Sequence, residues 1–343
     1  LNRDKLSEPC PKMEYIRNCA VDLCVEIAGI SMKNPVMVAS GTFGFGEEYA
    51  KIYDINRLGA VVTKGITLLP RHGNPPPRLC ETPAGLLNSV GLENPGVERF
   101  IREEWPRLKK LPVPVIVNID GDTVEEYREI AKRLSELNGL AALEVNISCP
   151  NVEKGGIAFG QDPGSAYEVV RAVKEAATLP VIAKLSPNVT SIQKIAAAVE
   201  SAGADAVSLI NTVLGMAVDI DRQRPVFKRI FAGLSGPAVK PIALRMVWEA
   251  YEAVKIPVIG MGGISTWRDA VEFILAGASA VAVGTAGFID PEAPLKIIDG
   301  LEKYLVECSI CESALKTSGE DKTIKLRDIV GLAHKNFTEG DFS

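Results

Sequence analysis

Histidine is nearly missing from this chain: only His72 and His334 occur among its 343 residues. That scarcity argues against a histidine-containing catalytic triad and against a histidine-ligated zinc site, and no metal ligand set is assigned. Long apolar runs are missing too. None approaches the roughly 18 residues that a membrane-spanning helix needs. No block of lysine and arginine stands out, and the formal net charge is −5, so neither DNA nor RNA is an expected partner. Seven cysteines, an odd number in a long chain, do not read as a disulfide framework. Cys10, Cys19 and Cys24 cluster near the start, and Cys308 and Cys311 form a C-x-x-C near the end. Their spacings match no standard ligand set, which favours free thiols over a metal or cluster site. Leu1 to Arg17 is charged and lacks the apolar core of a secretory signal, which points to the cytoplasm.

What is present is ordinary for a globular protein: 47% hydrophobic and 24% charged residues. Short apolar runs recur after Pro or after Gly-Ala. They are Pro35–Ala39, Gly59–Lys64, Pro114–Asn118, Leu143–Asn146, Pro180–Lys184, Ala206–Asn211, Pro257–Met261 and Ala280–Gly284, which makes eight strand candidates. Amphipathic stretches lie between them, at Val124–Leu137, Ala166–Ala177, Ile192–Ala202, Ile242–Val254 and Thr266–Ala276. The phrase Ala-Gly-Ala-Asp/Ser-Ala-Val occurs at 202–207 and again at 276–281. Its glycine ends a helix and its apolar run opens the next strand. Repeated strand–helix units predict an α/β fold, a TIM (β/α)8 barrel. The alternative, a doubly wound sheet, lacks its Gly-x-Gly-x-x-Gly fingerprint. A bare barrel needs about 250 residues, so loop insertions are expected at the C-terminal face. Residues 67–96 follow the second strand, 212–240 the sixth, and 149–164 reads as a mobile lid. The expected division is an N-terminal extension at 1–24, the barrel at 25–305 and a C-terminal extension at 306–343.

Barrel sites are assembled at the C-terminal ends of strands. Those ends read Ser40-Gly41-Thr42, Lys64-Gly65, Asn118, Asn146 with Cys149, Lys184, Asn211-Thr212, Gly262-Gly263 and Gly284-Thr285. Two lysines and three asparagines at half-buried positions are costly unless they meet a polar ligand. The glycines after the seventh and eighth strands suit a phosphate, because bare backbone N–H groups can approach it. Cys149 has two readings. It is a tuned base or nucleophile at a strand end, or a structural buried thiol. Lys184 likewise faces a ring that gains negative charge, or pairs with a core carboxylate.

These motifs resemble those of the dihydroorotate dehydrogenases, most closely the class 1B catalytic subunit. The matching segments are Asn34-Pro35, Ala39 to Tyr49, Gly73 to Arg78, Leu87 to Gly96, Asn146-Ile147-Ser148-Cys149-Pro150-Asn151, Lys184 to Val189, Ile210-Asn211-Thr212, Leu234 to Ala238 and Gly260 to Ile264. The resemblance covers roughly Val25 to Tyr304. The resemblance implies FMN at the barrel mouth, held by Ser40, Lys64, Gly65, Asn118, Asn146, Lys184, Ile210, Gly236, Gly262, Gly263, Gly284 and Thr285. It implies oxidation of (S)-dihydroorotate to orotate in pyrimidine synthesis. The substrate would meet Lys64, Asn88, Ser89, Val90, Gly91, Leu92, Asn146, Asn211 and Thr212, and Cys149 would be the base. A cysteine base and the Val152–Gly160 lid resemble the soluble class 1B. It further implies a homodimer core with a partner subunit carrying FAD and a [2Fe-2S] cluster, a heterotetramer that reduces NAD⁺. The alternatives are a dihydropyrimidine dehydrogenase-type flavoenzyme and the fumarate-using class 1A. Asp120 departs from the family pattern, which has a small neutral residue there.

Overall fold

The computed structural model describes residues 21–148, 150–151, 157–315 and 324–335. Eight short strands close into a parallel barrel in sequence order. They are β1 (Val36–Val38), β2 (Ala60–Val62), β3 (Val115–Ile119), β4 (Ala142–Asn146), β5 (Val181–Lys184), β6 (Ala206–Leu209), β7 (Val258–Met261) and β8 (Ala280–Val283). All eight fall on the runs read from the sequence. Both faces of such strands are buried, which is why they appear as continuous apolar stretches.

Alternation along each strand divides the side chains into two packed sets. Outward residues such as Val36, Val117, Val145, Ala183 and Val281 pack under the helices. Inward residues such as Met37, Ile116, Ala142, Ile182, Ala206 and Ile259 fill the barrel axis. Ile27, Ile30 and Met32, from the antiparallel hairpin of Val25–Ile27 and Ile30–Met32, join that inner cluster and close the N-terminal floor.

The helices begin where a side chain can take up free backbone donors. Thr123 accepts from the Glu126 N–H ahead of Val124–Ser135, and Ser191 from the Lys194 N–H ahead of Ile192–Ser201. Two helices start earlier than their apolar periodicity indicates. Pro163–Ala176 is capped by Asp162, and Lys240–Ala253 has Pro241 in its first turn. Proline lacks only an N–H that the first turn does not use, so it opens both helices.

The two excursions, at 67–96 and 212–240, build a structure that neither predicts alone. Their strands interleave in one four-stranded antiparallel sheet, in the order Val213–Met216, Phe231–Ser235, Gly85–Asn88, Leu79–Thr82. One face of it closes on Leu87, Phe227 and Ala232. At the other end of the chain, the helix Ala293–Leu315 runs past residue 305, and Ile324–Lys325 pairs in parallel with Val21–Asp22. Leu326 and Ile329 then pack into the main core. No helix among the described residues is long and apolar enough to cross a membrane.

Candidate active site at the barrel mouth

Moving up the axis from the floor, the inward positions change from apolar to polar. Ile116 gives way to Asn118 on β3, Ala142 to Glu144 and Asn146 on β4, Ile182 to Lys184 on β5, and Ala206 to Ser208 on β6. These polar groups are buried, and they satisfy one another. Glu144, 2% exposed, accepts from Asn118 Nδ2 at 2.6 Å and from Ser208 Oγ at 2.8 Å. Lys184 Nζ lies 3.7 Å from Glu144 Oε2 and donates to Ser40 Oγ at 3.1 Å. A buried ion pair stands only when hydrogen bonds support it, and here Ser40, Asn118 and Ser208 supply them. Lys184 thus does pair with a core carboxylate, and it also lines the cavity described below. Glu144 was missed in the sequence. Its signal was a single charge inside the apolar run of β4.

A second network sits above the first. Asn146 Nδ2 donates to Asp120 Oδ1 at 2.5 Å. Asn146 Oδ1 accepts from Asn211 Nδ2 at 3.1 Å and from the Ser148 N–H at 3.2 Å. The Asn146 carbonyl accepts from the Tyr127 hydroxyl at 2.6 Å. Asp120 is wholly buried, and a Cβ on residue 65 would lie 2.1 Å from its Oδ2, so glycine at 65 makes room for it. Cys149, next in sequence to Ser148, lies outside the described residues, as does the 152–156 part of the expected lid.

The rim is made of backbone. Gly236, Gly262 and Gly263 have φ of +94°, +121° and +77°, in the region that favours glycine. A Cβ on Gly263 would meet Lys240 Cβ at 2.7 Å and the Gly236 carbonyl at 2.9 Å. Close approach of these loops therefore requires bare backbone, and Gly284 and Thr285 stand beside them, with Thr285 Oγ1 donating to Ser235 Oγ at 2.8 Å. Behind the rim, Lys240 Nζ bridges Asp269 Oδ1 at 2.7 Å and Glu272 Oε1 at 2.9 Å. Burial is the largest influence on the Lys240 ammonium and pulls its pKa down, but the two carboxylates together outweigh it and hold it above its ordinary value.

The excursion sheet supplies the far wall. Asn88 Nδ2 donates to the Gly233 carbonyl at 3.1 Å. Ser89 and Val90 are held by Asn74, through Nδ2 to the Ser89 carbonyl at 3.0 Å and through N–H to the Val90 carbonyl at 2.8 Å. Gly91 and Leu92 continue that wall. The Thr212 N–H donates to Asn211 Oδ1 at 2.8 Å, and Asn188 Nδ2 to the Thr212 carbonyl at 3.1 Å. One cavity of about 570 Å³ collects all of these groups, within the usual span of small-molecule sites. Apart from Cys149, every residue that the sequence nominated as a site residue lines it, including Ile210 and Lys64. Asp120, Ser186, Asn188 and Arg229 line it as well without having been nominated. Asn188 was visible as part of Lys184-Leu185-Ser186-Pro187-Asn188, whereas Arg229 lies in an excursion with no strand-end signal.

A family model described as dihydroorotate dehydrogenase matches residues 22–305 of the chain. Among curated proteins, one from Desulforudis audaxviator is 56% identical over 315 residues, covering 92% of this chain and 98% of its own. One from Desulforamulus reducens is 56% identical over 314 residues, covering 92% and 99%. One from Citrifermentans bemidjiense is 57% identical over 289 residues, covering 84% and 95%. All three carry the name dihydroorotate dehydrogenase B (NAD(+)), catalytic subunit.

Proposed function

Because the chain belongs to the dihydroorotate dehydrogenase family, we propose that it oxidises (S)-dihydroorotate to orotate in pyrimidine biosynthesis. The observation that carries this reading is the convergence of two lysines, six asparagines and a glycine-lined rim on one cavity. The family is flavin-dependent, and FMN is the form that these residues fit. The backbone cradle of Gly236, Gly262, Gly263, Gly284 and Thr285 suits a phosphate, since Cβ atoms at 236 and 263 would collide with Gly85 and Lys240 and force these bare-backbone loops apart. Ser40, Lys64, Gly65, Asn118, Asn146, Lys184 and Ile210 would surround the ring. When bound, FMN supplies the hydride acceptor. Lys184 offers a fixed positive charge where negative charge develops, and Glu144 keeps that lysine in place.

The substrate would lie against Lys64, Asn88, Ser89, Val90, Gly91, Leu92, Asn146, Asn211 and Thr212. Carboxamides suit it, because amide groups recognise a flat ring of amides by complementary hydrogen bonds. Cys149 would remove the C5 proton, with the 149–164 segment excluding water. Cys149→Ala should keep FMN and orotate binding while losing turnover by roughly 10²–10⁴-fold. Near-wild-type turnover at all pH values would refute the role.

The relatives' shared name, catalytic subunit, implies a further subunit in those proteins. For this chain we infer a cytoplasmic homodimer core that passes electrons to a partner bearing FAD and a [2Fe-2S] cluster. No dinucleotide fingerprint is present to hold NAD⁺ directly. The isolated, FMN-saturated chain should therefore reduce artificial acceptors and use NAD⁺ poorly. Efficient NAD⁺ reduction without an iron–sulfur protein would overturn the partner, and efficient fumarate reduction would indicate class 1A.

A further inference from the structure

A primary carboxamide fills nearly the same volume in two orientations half a turn apart, so its hydrogen-bond partners decide which it takes. Asn146 has a partner that permits one only. Asp120 Oδ1 sits 2.5 Å from its Nδ2. An ionised carboxylate accepts and cannot donate, so an amide oxygen in that place would face another oxygen with no proton between them. The NH2 group must face Asp120. The Asn146 oxygen is then turned toward Asn211 Nδ2 and the Ser148 N–H, which occupy both of its acceptor sites. Asn211 is fixed in turn, with its NH2 toward Asn146 and its oxygen receiving the Thr212 N–H. Every bond runs the same way, from Thr212 through Asn211 and Asn146 to Asp120, so each polarises the next.

We propose that Asp120 is a positioning residue whose buried carboxylate sets the polarity of the Asn146–Asn211 pair, so that Asn146 can only donate to a ligand. This rests on the reading of the cavity as the dihydroorotate site and deepens it. Each of the two NH2 groups keeps one hydrogen that no group among the described residues takes up, and both asparagines line the cavity. The site is thereby matched to a ligand that presents acceptor oxygens there, such as a ring carbonyl or a carboxylate, and it disfavours one presenting N–H. Packing fixes the position of the carboxyl group. Asp120 is 0% exposed, its own N–H is tied to the Ile66 carbonyl at 2.9 Å, and Gly65 leaves space for its second oxygen.

The test is Asp120→Asn in the full, FMN-loaded chain. The change is isosteric, but the new amide can donate to Asn146 and so removes the carboxylate's demand for one orientation, leaving the Ser148 N–H alone to oppose the turned-over amide. Orotate is titrated against the flavin absorbance, with FMN content and Tm as folding controls. Orotate Kd and dihydroorotate KM should weaken by roughly tenfold to a hundredfold, as for loss of a hydrogen bond to a charged group. The kcat at saturation should change by less than KM. Asp120→Ala, which removes the anchor without offering a donor, should weaken orotate by less than Asp120→Asn. A buried charge that acted only by repelling an anionic ligand would give the opposite sign, with tighter orotate in both variants. Unchanged or tighter binding by Asp120→Asn, in a chain whose wild type binds orotate, overturns this inference alone. If the wild type does not bind orotate, the functional reading fails and this inference with it.

Discussion

The floor and the mouth of the barrel are made by the same strands with the same alternation, yet they are chemical opposites. On β5, Ile182 and Lys184 both point inward, two residues apart; one joins the apolar inner cluster and the other a buried ion pair. On β4 the contrast is Ala142 against Glu144 and Asn146, and on β3 it is Ile116 against Asn118. Period two therefore assigns a residue to the inside, and its height along the strand assigns its chemistry. At the floor the inside is sealed by Ile27, Ile30 and Met32, so burial there contributes stability directly. At the mouth each buried polar group is a cost that its neighbours offset. Such a region contributes little to folding and much to holding a ligand in a fixed orientation.

Substitutions on one strand test that division most strongly. Lys184→Ala should be the most damaging, because it leaves the Glu144 carboxylate buried without its cation, a loss of about 3–5 kcal/mol. It should also release FMN, or lower the reduction potential of what remains bound. Ile182→Ala, one inward step below, should cost about 2–5 kcal/mol by leaving a cavity. It should keep FMN and orotate binding once folded. Denaturant unfolding with FMN content measured alongside separates the two. Equal loss of FMN in both variants would erase the distinction between floor and mouth.

Glu144→Gln asks whether the buried carboxylate serves the site or only the packing. Glutamine keeps the shape and can still accept from Asn118, so the expected loss of stability is about 1–3 kcal/mol, below that of Lys184→Ala. Lys184 would lose its counter-charge, and the mouth would become more positive. The flavin potential should then rise, because a reduced anionic ring gains from positive charge nearby. A redox titration that found it unchanged or lowered would confine Glu144 to a packing role.

Much of this contrast could be read before any coordinates. The eight strands stood out because both their faces are buried, and the ends of those strands, taken in order, name most of the groups at the mouth. Glu144 escaped because sequence shows only one acid in an apolar run. Its partners Asn118, Ser208 and Lys184 come from three other strands. The far wall escaped for a related reason. Val213–Met216 and Phe231–Ser235 are short strands that pair with each other, and the second pairs in turn with Gly85–Asn88, well over a hundred residues earlier. No local pattern encodes that register. The early start of Lys240–Ala253 was hidden by Pro241, which reads as a breaker in isolation and is an opener in the first turn.

The smallest predicted effect concerns acid. Among its buried members the inner floor cluster holds no titratable group, so of these two regions only the mouth and its rim should make stability depend on pH. Asp269, behind Gly262-Gly263, is the place to look. It caps the helix Trp267–Leu275, accepting from the Ser265 N–H at 3.0 Å and the Thr266 N–H at 2.8 Å, and it pairs with Lys240. Burial is the largest influence and pushes its carboxyl up, but Lys240 and the backbone donors together outweigh that and hold the pKa below the ordinary carboxylate value. A carboxyl with a lowered folded-state pKa binds its proton more readily when unfolded. Its contribution is therefore complete above the unfolded value of about 3.9, and it is lost as pH falls through the folded value. Asp269→Asn should cost about 1 kcal/mol near neutrality, as for loss of a cap. The gap between wild type and variant should close as pH falls below about 4, because both then carry a neutral group at this position. Urea unfolding of both proteins across that range measures the gap directly. A gap that stayed constant from neutral to strongly acid solution would mean that the charge on Asp269 contributes nothing, and that the rim is held by shape, as the floor is.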